Sequence, residues 1–247
     1  MSEAMTMTVR CLRISRRQVD ALITSLLLPV MLMLIFVELF GGAINTGTKY
    51  VTYVVPGVLV LCAGFGSGLT AVAVCQDMAG GIVDRLRSMD VRGTSVLGGH
   101  VAASVARNAA SAVLVLGVAL LLGFHPHAAP ADWLAAGAML LAYVAALSWL
   151  SAALGLLFHS PEAANGSTFL LMFLPYASSA FVPVHTMPSW LQGFAENQPI
   201  TPVTETLRGL LLGTPVGSHP WVALAWCTGI LAVSIAASGL LFGRRTA

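Results

Sequence analysis

The chain has 247 residues, 57% of them hydrophobic and only 9% charged, with a formal net charge of +2 and a mean hydropathy of +0.86. A soluble domain carries roughly a quarter charged residues, so this composition excludes an ordinary globular protein and points to a membrane. The small net charge, with no basic stripe, excludes a nucleic-acid partner. Four cysteines without paired spacing (Cys11, Cys62, Cys75, Cys227) give no reason to expect a disulfide or a metal site.

In chain order, Thr8 to Leu22 reads as an amphipathic helix, within a first unit of residues 1–20. Arg10, Arg13 and Arg17 fall on one face, with Arg16 beside them, and Cys11, Leu12, Val19 and Leu22 on another. Such a helix lies in the headgroup plane with its arginines toward anionic lipid; the plainer reading is a positive flank. Residues 21–247 then form the membrane domain. A bilayer core of about 30 Å needs about 20 apolar helical residues. Six segments qualify: Ala21 to Phe40, Val51 to Cys75, Val101 to Phe124, Trp133 to Phe158, Ser167 to Val184 and Trp221 to Phe242. Their runs are continuous, without the alternation of barrel strands. The first is too long for a signal peptide, shows no small-x-small cleavage site and is followed by five more. Glu38 reads as interfacial at its outer end, or as part of a translocation mouth. Arg107 reads as snorkelling to the inner interface from the start of the third span.

The arginines set the orientation. Arg10, Arg13, Arg16, Arg17, Arg85, Arg87, Arg92, Arg244 and Arg245 fall on one side, and only Lys49 and Arg208 on the other. Positive residues stay inside, so both termini are expected in the cytoplasm of a multi-pass plasma-membrane protein. The linker over residues 76–100 is then cytoplasmic. It holds six charges, Asp77, Asp84, Arg85, Arg87, Asp90 and Arg92, which sum to zero. Each would cost roughly 2.5–3.5 kcal/mol at the bilayer centre, so they belong in water or against a protein. The outer loop over 185–220 is predicted to hold two short helices. One covers Ser189 to Asn197 with Trp190, Leu191 and Phe194 on one side. The other starts with Thr201 as N-cap and Pro202 at the first position and stops at Gly213.

Several chemistries are missing. A phosphate loop ends in Gly-Lys-Ser/Thr, and the one lysine, Lys49, sits in "TGTKY". Ser67 in "GFGSG" lacks the nucleophile-elbow spacing and a histidine within the spans, so Gly64 and Gly68 read as a small-xxx-small packing face. His125 and His127 read as a wet outer turn. No carboxylate falls in mid-span, where an ion-coupled carrier would place one. No catalytic residue is assigned.

Two stretches carry a resemblance: "DMAGGIVDRLRSMDVRG" (Asp77 to Gly93) and "FVPVHTMPSWLQGFAENQPITPVTETLRGLLLG". With six spans behind an N-terminal interface helix, the chain resembles the permease subunit of ABC-2 type ATP-binding-cassette exporters (type V exporter-like), especially the drug-resistance branch typified by daunorubicin exporters. In the outer stretch Pro183, Met187, Pro188, Trp190, Leu191, Asn197, Pro199, Thr201, Pro202 and Arg208 look like that branch's pattern. The resemblance implies that Asp77, Gly80, Gly81, Asp84, Arg85, Leu86 and Arg87 form a coupling region that docks on a separate ATPase subunit. Gln76 and Asp77 stand where the family often has Glu and Arg, and Met89-Asp90 where a proline is expected. It further implies two ATPase copies that bind ATP and magnesium, none of either on this chain, and pairing with a second copy or a similar permease. The path would run at the dimer interface along the first, second and fifth spans. Efflux of an amphipathic drug or a lipid-like molecule, and hence antibiotic resistance, is the implied activity. Export of polysaccharide or glycolipid and a non-transporting membrane scaffold are the alternatives.

Overall fold

A computed structural model describes residues 3–17, 19–44, 48–81 and 93–246, and among these every regular element is helical. α1 (Glu3–Arg17) precedes α2 (Val19–Ile35), which ends in a π-helical turn over Phe36–Phe40. α3 (Tyr50–Ala79), α4 (Gly93–Leu121) and α5 (Pro130–Leu157) follow. α6 (Pro161–Phe173) continues into a 3-10 turn over Leu174–Ala177, and a second such turn covers Val184–Thr186. α7 (Ser189–Asn197), α8 (Ile200–Leu212) and α9 (His219–Thr246) complete the described chain.

Among the described residues, four helices are long and apolar enough to cross a membrane: Tyr50–Ala79, Ser95–Leu121, Pro130–Leu157 and His219–Gly243. They correspond to the second, third, fourth and sixth expected spans, with shifted ends. The first expected span, Ala21 to Phe40, lies within α2 and its π turn, Val19–Phe40, and is less regular only in that last turn. The amphipathic helix starts and stops earlier than the expected Thr8 to Leu22.

The fifth expected span is corrected. Ser167 to Val184 is not one helix. α6 has 13 residues, about 20 Å at 1.5 Å per residue, short of a bilayer core of about 30 Å. Pro175 is the reason: it offers no amide to continue the α ladder, and the chain tightens into the 3-10 turn over Leu174–Ala177. Beyond it the chain turns through Ser178–Phe181, and Pro183 keeps it extended.

α3 is the hub, packing on α2, α4, α5, α6 and α8. Small residues allow this, because close backbone approach replaces the hydrophobic drive that lipid does not supply. The expected packing face is there: a Cβ on Gly68 would sit 3.2 Å from Thr168 of α6, and one on Gly64 3.5 Å from the Leu171 carbonyl. Gly57 extends the row, with the Ala180 carbonyl 2.3 Å from where its Cβ would be. Gly66 faces Asn108 of α4, and Gly155 of α5 faces the Ala71 carbonyl. At its ends the same segment meets α3 again, where Cys75 donates to the Phe158 carbonyl (3.4 Å) and Tyr50 to the Phe181 carbonyl (3.0 Å). Residues 158–181 therefore run antiparallel to α3 from Cys75 to Tyr50, half helix and half irregular chain.

Candidate functional site

At the Asp77 end of α3 three helices meet on one carboxylate. Arg10 of α1 donates through both Nη atoms to Asp77 (3.0 and 3.4 Å). Nε2 of His100, two turns into α4, lies 3.0 Å from Asp77 Oδ2. Asp77 is only 13% exposed and His100 10%. A carboxylate in the last turn of a helix faces the negative end of its dipole, so partners from outside α3 are needed to hold it there. The pairing with Asp77 also raises the Arg10 guanidinium above its usual value. Arg10 thus turns to Asp77, while Arg13 is exposed. The side chains of Arg16 and Arg17 lie outside the described residues, although their backbone closes α1.

Of the expected coupling residues, Asp77 is inward and paired. Gly80 caps α3, its amide donating to the Gln76 carbonyl (2.9 Å). Gly81 takes a left-handed φ of +65°, a conformation that favours glycine. Asp84, Arg85, Leu86 and Arg87 lie outside the described residues.

Between α3, α4 and α5 runs a buried polar seam. Ser148 donates to Ser104 (2.8 Å), and Ser67 and Ser148 share a bond of 3.3 Å. Asn108 donates to the Ser104 carbonyl (2.9 Å). Arg107 turns its Nη2 to the Gly66 carbonyl (2.8 Å) and toward Thr70 (3.4 Å) instead of reaching outward. Ser67 is thus hydrogen-bonded to a serine of the neighbouring helix α5. Helix-packing hydroxyls of this kind join helices in apolar surroundings.

At the Tyr50 end the outer-loop pattern closes around the irregular half of the fifth segment. Arg208 of α8 is buried. Its Nη2 donates to the carbonyls of Ser179 (2.9 Å) and Tyr53 (3.1 Å), and Nη1 pairs with Glu205. Its Cζ lies 3.8 Å from the centre of the Tyr53 ring, a cation–π contact. Tyr53 donates to the same Ser179 carbonyl (2.9 Å). Thr201 was expected to cap α8. Instead α8 begins at Ile200 behind Pro199, and the Thr201 hydroxyl accepts the Ser179 amide (3.2 Å) and donates to the Ala195 carbonyl (2.5 Å). Gln198 donates to the carbonyls of Leu174 (3.4 Å) and Ala177.

The remaining pattern residues shape the approach. Pro183 and Pro188 precede the second 3-10 turn and α7, and Met187 is buried with its carbonyl accepting from Gln192 (2.8 Å). Asn197 closes α7 on the Gly193 carbonyl (2.8 Å). Leu191 is half-buried and Pro202 buried, whereas Trp190 stands apart, 78% exposed. Gly213 ends α8 at φ +67°, as expected. Tyr50, Tyr53 and Gln198 were not picked out from sequence. The signal was present in two tyrosines three apart at the start of a span, facing an outer loop with one arginine. Glu38 is exposed on the π turn.

A ladder of rings links the first and fifth segments. Phe36 stacks on Phe181 (4.4 Å), which stacks on Tyr176 (5.1 Å); Phe40 extends it at one end (5.5 Å from Phe36), and Phe173 and Phe169 at the other (6.0 and 6.4 Å). Phe40, Phe169, Phe173 and Tyr176 are exposed. Offset and tilted rings at these separations attract one another.

The model for the family described as ABC-2 type transporter matches residues 2–212. The chain is 28% identical over 214 residues to the daunorubicin resistance ABC transporter permease protein DrrB1 of Streptomyces coeruleorubidus, covering 86% of this chain and 76% of that protein. It is 24% identical over 237 residues to the probable doxorubicin resistance ABC transporter permease protein DrrC of Mycobacterium tuberculosis, covering 94% and 85%.

Proposed function

This chain belongs to the ABC-2 type transporter family, and from that premise we propose that it is the membrane permease subunit of an ATP-driven drug exporter. The observation that carries the reading is the match over residues 2–212, which takes in every element from α1 to the end of α8. The names of its relatives, both drug resistance permeases, support a drug-like cargo. In this reading the chain crosses the bacterial plasma membrane six times, through α2 with its π turn, α3, α4, α5, the fifth segment and α9. Both ends are cytoplasmic. The alignment of residues 158–181 along α3 supports counting the fifth segment as a crossing. Irregular backbone at membrane depth is tolerated where protein covers it, and here Tyr50, Tyr53, Gln198, Thr201 and Arg208 supply the cover.

ATP and magnesium are held by a partner ATPase, two copies of which serve a pair of permeases. Of the residues the resemblance assigns to coupling, Gly80, Gly81, Asp84, Arg85, Leu86 and Arg87 form the segment that docks on it and receives its motion, and Asp77, paired inward with Arg10 and His100, stands behind them. The cargo passes along the first, second and fifth segments at the interface between permeases. There the ring ladder suits an amphipathic or planar apolar molecule, which stacks on ring faces.

The test is co-purification. The tagged chain, expressed with the ATPase subunit, is expected to capture it, and Asp84→Ala/Arg85→Ala is expected to abolish capture. A chain that purifies alone in both forms would leave the exporter reading without a motor and bring the scaffold reading forward.

A further inference from the structure

The Asp77 cluster sits where force would have to change hands. Asp77 lies at the start of the coupling linker (76–100), three residues before Gly80; His100 lies at its end, two turns into α4; Arg10 belongs to α1. One carboxylate therefore ties the two flanks of the linker to each other and both to the N-terminal helix. The contacts are close to full hydrogen-bond strength, and two of the three side chains are largely shielded from solvent. The setting is not needed merely to pack α1. Gly99 of α4 already lets α1 approach closely, with Met7 backbone atoms 3.0 Å from where a Cβ would be, and Met7 and Cys11 are buried. A buried ion pair is a poor way to add stability compared with apolar side chains of the same size, but a good way to fix which surfaces meet.

We propose that Asp77 is a positioning residue: through Arg10 and His100 it clasps α1 to both flanks of the coupling linker, so that linker and N-terminal helix move as one piece. The inference rests on the permease reading and adds a role that docking residues alone do not have. Asp77 does not contact the ATPase. It converts a push on the linker into a displacement of α1 and of the start of α4. Without the clasp the linker still docks and the ATPase still turns over, but its motion dissipates at the hinge formed by Gly80 and Gly81.

The experiment uses the full chain with its ATPase subunit, reconstituted in phosphatidylethanolamine–phosphatidylglycerol vesicles, with doxorubicin as the transported probe. ATP hydrolysis and ATP-dependent uptake are measured separately for wild type, Asp77→Asn, Arg10→Asp and the exchange Arg10→Asp/Asp77→Arg. The single variants should keep ATPase capture and hydrolysis but lose uptake roughly tenfold, a coupling energy of ordinary size. The exchange should recover a large part of it. Uptake at the wild-type level in Asp77→Asn overturns the clasp. So does loss of ATPase capture in that variant without recovery in the exchange, which would make Asp77 a direct contact. His100→Gln leaves the Arg10 pair intact and guards against a misfolded Asp77 variant. It should reduce uptake at unchanged hydrolysis, and wild-type uptake from it overturns the three-helix form. A wild-type chain that neither captures the ATPase nor takes up the probe overturns the permease reading itself, an outcome distinct from all of these.

Discussion

The two ends of α3 each hold one arginine from a distant helix, and the two are held differently. At the Tyr50 end Arg208 is satisfied chiefly by carbonyls, those of Tyr53 and Ser179, with Glu205 one turn away on its own helix. At the Asp77 end Arg10 is satisfied by a carboxylate on another helix, shared with a third. Carbonyls cannot be exchanged or neutralised, so Arg208 is fixed to the backbone it serves. A carboxylate can be exchanged for a cation if its partner changes too. One end is built to stay, and the other is built from parts that can be told apart by their charge.

The largest effect is expected from breaking the Tyr50 end. Arg208→Ala leaves Glu205 and the Tyr53 carbonyl without their guanidinium donor and the Ser179 carbonyl with Tyr53 alone, and should cost about 3–5 kcal/mol, read as a loss of folded protein in detergent by size exclusion and thermal unfolding. The sharper form is the exchange Arg208→Glu/Glu205→Arg, which should rescue nothing, since a carboxylate would then face the carbonyls of Tyr53 and Ser179. Recovery there would erase the contrast with Arg10 and Asp77.

Next in size is Gly57→Ala. Its Cβ would stand 2.3 Å from the Ala180 carbonyl, and backbone on both sides leaves little room to give. Overpacking of this kind should cost about 1–3 kcal/mol. Gly137→Ala in α5, where nothing lies within 4 Å of the added carbon, serves as the control and should gain up to about 1 kcal/mol from helix propensity. The smallest effect is Tyr53→Phe. The ring stays over Arg208 while one hydrogen bond to Ser179 is lost, about 1 kcal/mol. The thermal midpoint should fall slightly, with no change in ATPase capture.

Much of this was legible in the sequence, and the failures have a common cause. Apolar length located the four long helices, and the Gly64 and Gly68 spacing located the face that α6 packs on. Pattern residues Thr201 and Arg208 both bond to the backbone of Ser179. What hydropathy could not see was backbone. The run from Ser167 to Val184 is apolar enough for a span, but hydropathy does not register that Pro175 removes an amide, and the helix stops. Thr201 has the residue type and position of a cap, but its hydroxyl is recruited by Ser179, 22 residues earlier in the chain. Arg107 looked like a snorkelling residue because length allowed it; the Gly66 carbonyl, exposed by the absence of a side chain there, drew it inward. His100 read as a linker residue, and only the packing of α4 on α3 shows it beside Asp77.

The irregular stretch after Pro175 has a consequence for exchange with solvent. In a helix each amide is guarded by the neighbouring turn, and protection rises and falls residue by residue from the ends. Over residues 174–181 side chains from elsewhere hold the peptide groups: Thr201 of α8 accepts the Ser179 amide, while Tyr50 and Tyr53 of α3, Gln198, and Arg208 of α8 donate to the carbonyls of the same stretch. No one of them can leave without loosening the others' grip on the same few peptide groups. The stretch should therefore exchange its amide hydrogens as a block, at a single rate, opening and closing as one cooperative unit between two helices that fray in the ordinary way.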